Sequence, residues 1–113
     1  MIDVTLEGNN VELIKGEMTE KKMAALEAVG EAAVAYAKLN LESDPRRIDT
    51  GNLRNSIDYA VLEDGTVVIG TDVEYAPYVE LGTIKMQPSH FLKRAASEHS
   101  DEYMNVIDQH MKE

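Results

Sequence analysis

The residues of this chain best suited to chemistry are Asp49, the three histidines and a group of tyrosines. Asp49 lies in Ile48-Asp49-Thr50-Gly51. A second carboxylate placed beside it would share one proton with it and activate a water for hydrolysis. His90, His99 and His110 stand nine and eleven residues apart. They are not the i, i+4 pair that puts two imidazoles on one helix face around zinc. His99 falls on an apolar helical stripe and reads as a packed core or interface residue. Tyr59, Tyr75 and Tyr78 offer rings on which bases could stack, but no Lys or Arg cluster surrounds them. They too read as core or interface. No glycine-rich phosphate loop is present, and Glu98, Asp101 and Glu102 read as a solvated helix face.

Asp49-Thr50-Gly51 is also the triplet of aspartic proteases. Retroviral-type members are small and dimeric, and Val67-Val68-Ile69-Gly70 resembles their second, apolar-Gly motif. Three features count against them. A long helical pattern precedes the triplet where those enzymes have strands. Asn52-Leu53-Arg54 follows it where Ala-Asp is usual. The two motifs also stand too close together. Asp49 and Thr50 otherwise read as caps of a turn.

The elements that position these residues are bounded by composition. At 113 residues the chain is expected to form one domain, residues 1–113, with a real core. Hydrophobic residues make up 43%, too many for a chain disordered by composition. Cysteine is absent, so no disulfide framework or thiolate site exists. Met1-Ile2-Asp3-Val4 lacks a basic, then apolar, leader, and no apolar run approaches membrane-spanning length. The formal charge of −10 argues against a grip on a phosphate backbone.

Val73 to Thr83 organises the rest. Pro77 fixes φ and lacks an N–H, so a strand cannot run through it and Ala76 is expected to lie extended. Gly82 permits a backbone turn closed to other residues. Tyr75 and Tyr78 suit a half-buried corner. The stretch predicts a strand end, a tight helical turn and an exit turn.

Ile2, Val4 and Leu6 alternate with polar residues, the period of a strand. From Thr19, a plausible N-cap, to Leu41 the pattern is helical, with a wide face rich in Ala and Gly. Gly30 inside it costs about 1 kcal/mol against alanine, which hints that something approaches closely there. Ser43-Asp44-Pro45 stops this helix, Arg46-Arg47 follows in a loop, and Thr50 is placed to cap a short turn through Asn55. Ile57–Leu62 and Thr66–Gly70 predict a β-hairpin around Asp64-Gly65. A two-residue turn there pairs Glu63 with Thr66, Tyr59 with Gly70 and Val61 with Val68. Both faces would then be mostly apolar and need covers. Pro88 or Ser89 opens a last helix whose apolar stripe runs from Phe91 to Met111.

One ordered set of motifs spans nearly the whole chain: a helix ending in Ala37-Lys38, Asp49-Thr50-Gly51-Asn52-Leu53-Arg54-Asn55-Ser56-Ile57, a hairpin, Tyr75-Ala76-Pro77-Tyr78-Val79-Glu80-Leu81-Gly82-Thr83, then Gln87-Pro88-Ser89-His90-Phe91-Leu92-Lys93-Arg94-Ala95 and a helix. In order and spacing it resembles the small tailed-phage tail-component family, typified by gene product ten of lambda-like coliphages. Arg46-Arg47-Ile48 stands where that family usually has Ala-Pro, the loop between Asn40 and Asp49 is longer, and Ser89-His90 splits the usual Pro-Phe-Leu.

The resemblance implies a non-enzymatic structural protein without cofactors. It implies rings of six or twelve copies between head connector and tail tube, in a neck or tail-completion role. Neighbours would be head-completion or connector proteins and tail-tube or tail-terminator proteins. It implies location in the virion at the head–tail junction or tail, after assembly in the host cytoplasm. Thr50, Gly51, Leu53 and Arg54 would set the turn into the hairpin. Tyr75, Tyr78, Glu80, Gly82 and Thr83 would build the corner, with Phe91 a further motif residue on the last helix, and Arg54 and Glu80 would pair within or between subunits. DNA would pass an acidic ring without specific binding. The fold expected is α+β: a long N-terminal helix, a central antiparallel hairpin or small sheet, and a C-terminal helix packed on the sheet. The alternatives are a small aspartic-protease-like enzyme using Asp49-Thr50-Gly51 and an acidic protein-binding module.

Overall fold

A computed structural model describes residues 2–6, 19–43, 51–63, 65–84 and 87–112. Arg46, Arg47, Asp49, Thr50 and Asp64 lie outside the described residues. The described elements are β1 (Ile2–Thr5), α1 (Glu20–Glu42), α2 (Gly51–Ser56), β2 (Asp58–Val61), β3 (Val67–Thr71), α3 (Ala76–Leu81), α4 (Phe91–Ser97) and α5 (Ser100–Lys112). The class is α+β, with a three-stranded antiparallel sheet in the order β1-β3-β2.

The long helix forms as its periodicity demands. Thr19 is extended and its hydroxyl accepts the Lys22 N–H at 3.2 Å, capping α1. Ser43 closes the other end, its N–H donating to the Leu39 carbonyl at 3.0 Å. Ala25, Leu26, Val29, Gly30, Ala33, Ala37 and Leu41 are buried along one face. Those small residues let the sheet and the C-terminal helices pack close on α1. The approach hinted at by Gly30 is real: a Cβ there would lie 2.6 Å from Tyr59 Cγ and 3.0 Å from Tyr59 Cε2. Only a residue without a side chain admits that ring.

The hairpin register differs from the expected one by a residue. Tyr59 pairs with Ile69, Ala60 with Val68 and Val61 with Val67. Leu62 donates its N–H to the Thr66 carbonyl at 2.8 Å, so the connection is three residues, not two. Gly65 supplies the positive φ, 87°, that closes such a loop. A one-residue slip exchanges the faces of a strand. Tyr59 and Val61 therefore share a face with the buried Val67 and Ile69, against α1. Asp58 and Ala60 share the other face with Asp3, Val68 and Gly70. That face is polar at its margins, so the expectation of two mostly apolar faces is corrected.

The last helix is also two helices. Glu98 and His99 separate α4 from α5. In an unbroken helix the Ala95 carbonyl would accept the His99 N–H. Here the buried Tyr103 hydroxyl donates to that carbonyl instead, at 2.6 Å. Two serine hydroxyls turn back on the same segment, Ser97 on the Lys93 carbonyl at 2.9 Å and Ser100 on the Ser97 carbonyl at 3.3 Å. Such back-bonding bends helices. The break turns His99 flat against Tyr36 of α1, ring centroids 3.5 Å apart and planes 4° from parallel. The Tyr36 hydroxyl bonds Glu102 in turn. α4 lies against β1, β3 and α1, while α5 runs along α1. The helix also begins at Phe91 rather than at Pro88 or Ser89.

Candidate functional site

The described motif residues gather at one corner of the fold, built by two short helices and the end of β3. α2 places Leu53 fully in the core and leaves Gly51 exposed at its start. A relay of hydrogen bonds joins α2 to the segment between β3 and α3. The Val73 N–H donates to the Thr71 hydroxyl at 3.2 Å. The Thr71 and Ser56 hydroxyls bond one another. Ser56 Oγ donates to the Leu53 carbonyl at 2.7 Å. Thr71 is buried, so this relay satisfies a polar group that would otherwise cost stability.

α3 starts from the same point, where the Ala76 N–H donates to the Val73 carbonyl at 3.1 Å. Ala76, expected to lie extended before proline, is instead the first helical residue. Pro77 then falls in the first turn, where its missing N–H has no intrahelical partner to lose. Half-buried Tyr75 precedes it and packs against the core. Gly82 ends the helix at φ 80°, ψ 173°, a region essentially closed to any residue with a Cβ. Its N–H donates to the Tyr78 carbonyl at 2.9 Å. The returning chain satisfies two more carbonyls of α3: Ser89 N–H reaches Val79 at 2.8 Å and His90 N–H reaches Glu80 at 3.1 Å.

Glu80 completes the corner. Its side chain is buried, 2% exposed. One carboxylate oxygen accepts the Leu92 N–H at 2.8 Å and the other the Lys93 N–H at 3.2 Å. It thus caps α4 from outside that helix and sets a negative charge at its N-terminus. His90, which immediately precedes α4, is left-handed at φ 54° and makes no capping bond with its own side chain. Phe91 is fully buried, and its carbonyl accepts Asn40 Nδ2 of α1 at 3.1 Å.

The expected Arg54–Glu80 pair does not form within the chain. Arg54 bonds Glu42 at the end of α1, and also the Asn55 side chain at 3.3 Å. Glu80 accepts its hydrogen bonds from backbone donors and stands 3.7 Å from His90 Nδ1. No simple spacing in the sequence announces Glu42, Asn40 or Thr71 as parts of this corner.

The outer face of α3 is left apolar. Tyr78 is 60% exposed, Leu81 is 64% exposed, and Ile84 just beyond Gly82 is fully exposed. Thr83 is exposed between them. No group of three or more His, Asp or Glu side chains among the described residues is placed to hold a metal. No described helix is long and apolar enough to cross a membrane.

A family model described as "Bacteriophage HK97-gp10, putative tail-component" matches residues 8–82, roughly two-thirds of the chain. The match takes in α1, α2, the hairpin and α3, and ends at Gly82. It lends no support to the protease or binding-module alternatives. No curated protein and no solved structure matches the chain. The matched span covers both the hairpin entry and the α3 corner, and the chain belongs to this bacteriophage HK97-gp10-like family of phage tail components.

Proposed function

We propose that this tail component acts in head–tail joining or tail completion, as one unit of a ring through which DNA passes. It works as a structural part rather than an enzyme. The observation that carries this is the division of α3. Ala76, Val79 and Glu80 are buried in the fold, while Tyr78 and Leu81, with Ile84 beyond, are left bare. A six-residue helix held by a buried carboxylate, a proline and a glycine is an expensive way to fill a surface loop. An exposed apolar patch displayed so rigidly suits protein–protein contact. The partners that such contacts fit are further copies of the chain and the connector, tail-tube or tail-terminator layers beside it. The formal charge of −10 suits a channel that DNA must slide through without sticking.

Deleting the gene from its parent phage and imaging the lysate by electron microscopy tests this. DNA-filled heads beside separate or misshapen tails are expected. Normal infectious virions would overturn the assignment.

A further inference from the structure

The outer face of the sheet carries a feature that the α3 corner fits. Gly70 of the central strand stands in register with Asp3 on one side and Asp58 on the other. Two exposed carboxylate residues therefore flank a position that has no side chain. The result is a hollow of about 190 Å³, lined by Asp3, Asp58, Tyr59, Ala60, Val68 and Gly70. Its lining is sheet residues alone, with apolar walls and an acidic margin.

The corner has the opposite character. Tyr78, Leu81 and Ile84 project apolar surface. From Leu81 to Ser97 the sequence contains no Asp or Glu, in a chain whose formal charge is −10. Lys93 is exposed on α4, and its backbone is tied to Glu80 beside Leu81. Arg94 follows it, paired with Glu98 at 3.3 Å. The chain thus presents an apolar knob that leads into an acid-free segment, and an apolar hollow with two carboxylates at its edge.

We propose that the Tyr78–Leu81–Ile84 face of one copy seats in the Gly70 hollow of the next, with Lys93 set against Asp3 and Asp58. The occupant is a second copy because one chain carries both halves of the match. The contact is heterologous: different surfaces meet, and successive contacts close a ring when the rotation permits. This deepens the ring reading and in that respect rests on it. The charges select the orientation, since knob-to-knob and hollow-to-hollow contacts would bring like charges together.

The chain has no cysteine, so introduced thiols are unique. Ile84→Cys and Ala60→Cys both lie at exposed positions. The two full-length variants, one carrying a size tag, are mixed and oxidised. Mixed disulfide dimers should exceed either homotypic dimer by at least fivefold. Lys93→Glu on the Ile84→Cys protein should lower that yield severalfold, and Asp3→Lys with Asp58→Lys on its partner should restore it. A mixed yield no greater than the homotypic yields would overturn the contact. So would an equal yield when Leu39→Cys, an exposed apolar position on α1, replaces Ile84→Cys. The variant carrying both Ile84→Cys and Ala60→Cys separates the two readings. A ladder beyond dimers supports head-to-tail assembly. A ladder that stops at dimers, with the mixed experiment positive, keeps the contact and removes the ring.

Discussion

Replacing Gly30 with alanine sets two opposing terms against each other. In an open helix interior the change gains about 1 kcal/mol. Gly30 is buried in α1, and the new methyl would lie 2.6 Å from Tyr59 Cγ. Cγ is the root of the ring, so rotating the side chain's outer atoms does not clear it. Either β2 or α1 must move. Forcing a methyl group into such a contact costs about 1–3 kcal/mol. The clash should outweigh the propensity gain by about 1 kcal/mol. For a chain of this size that is a fall in Tm of about 4 °C. The decisive comparison is the same change in a Tyr59→Ala background. With the ring gone, only the helix term remains, and Gly30→Ala should raise stability by about 1 kcal/mol. The two backgrounds together imply a coupling of about 2 kcal/mol, measurable by urea denaturation of the four proteins. If Gly30→Ala stabilised the parent, or moved both backgrounds equally, the claim that this glycine exists to admit Tyr59 would fail.

Glu80→Ala removes the acceptor of two backbone N–H groups, one of them on buried Leu92, and should cost about 2–4 kcal/mol in thermal unfolding. Glu80→Gln keeps part of the cap and should recover roughly half of that loss. A loss below about 1 kcal/mol in Glu80→Ala would mean that the carboxylate is not what holds α4 to α3. Tyr103 supplies an alkaline signature. Burial, then the neighbouring Tyr36 and Glu102 charges, push its hydroxyl well above the ordinary 10.0. With the folded pKa raised, its contribution is intact below pH 10 and is lost as pH climbs towards the folded pKa. The slope is about 1.4 kcal/mol per pH unit. Tyr103→Phe should flatten denaturation midpoints plotted above pH 10 by one tyrosine's share, and an unchanged slope would refute the burial argument. Arg54→Ala and Glu42→Ala, both exposed, should couple by no more than about 1 kcal/mol. Arg54 and Glu80 should not couple at all in the free chain. Coupling that appears only on assembly would place their contact between copies.

Much of the fold was legible where a residue's own backbone limits decide it. Thr19 caps α1, Pro77 sits in the first turn of α3, and Gly82 ends that helix, each for a reason intrinsic to the residue. Gly30 announced a close approach but not what approached. The misreadings share a cause. Asp64-Gly65 suits a two-residue turn, yet Gly65 closes a three-residue loop equally well, and the choice falls to which strand face meets α1. The apolar stripe from Phe91 to Met111 runs on past Glu98 and His99 because α4 and α5 both pack on α1. What made the break possible is Tyr103, whose hydroxyl takes over a carbonyl that the backbone gives up. Side-chain replacement of a backbone bond has no period and no composition. Glu80 is the same case at the corner: a motif residue whose charge suggests a pair with Arg54, but whose hydrogen bonds come from N–H groups of another helix, with the His90 imidazole 3.7 Å away.

The hydrogen bonding of Glu80 to backbone donors changes what the motif means. If Glu80 were half of a salt bridge between subunits, the motif would be a binding site, and its exposed members would be expected to matter most. Instead its buried members, Leu53, Val79, Glu80 and Phe91, are committed within the chain. They fix the angle at which α3 leaves the body and how firmly it is held there. Tyr78 and Leu81 are carried on that frame without contributing to the core. A frame of this kind can stay constant while the surface it displays is retuned for different neighbours, because outward-facing side chains on a rigid helix change contacts without changing the fold. The frame is therefore the part that holds the shape of the corner, and the exposed face together with the acidic hollow is the part that would meet a partner.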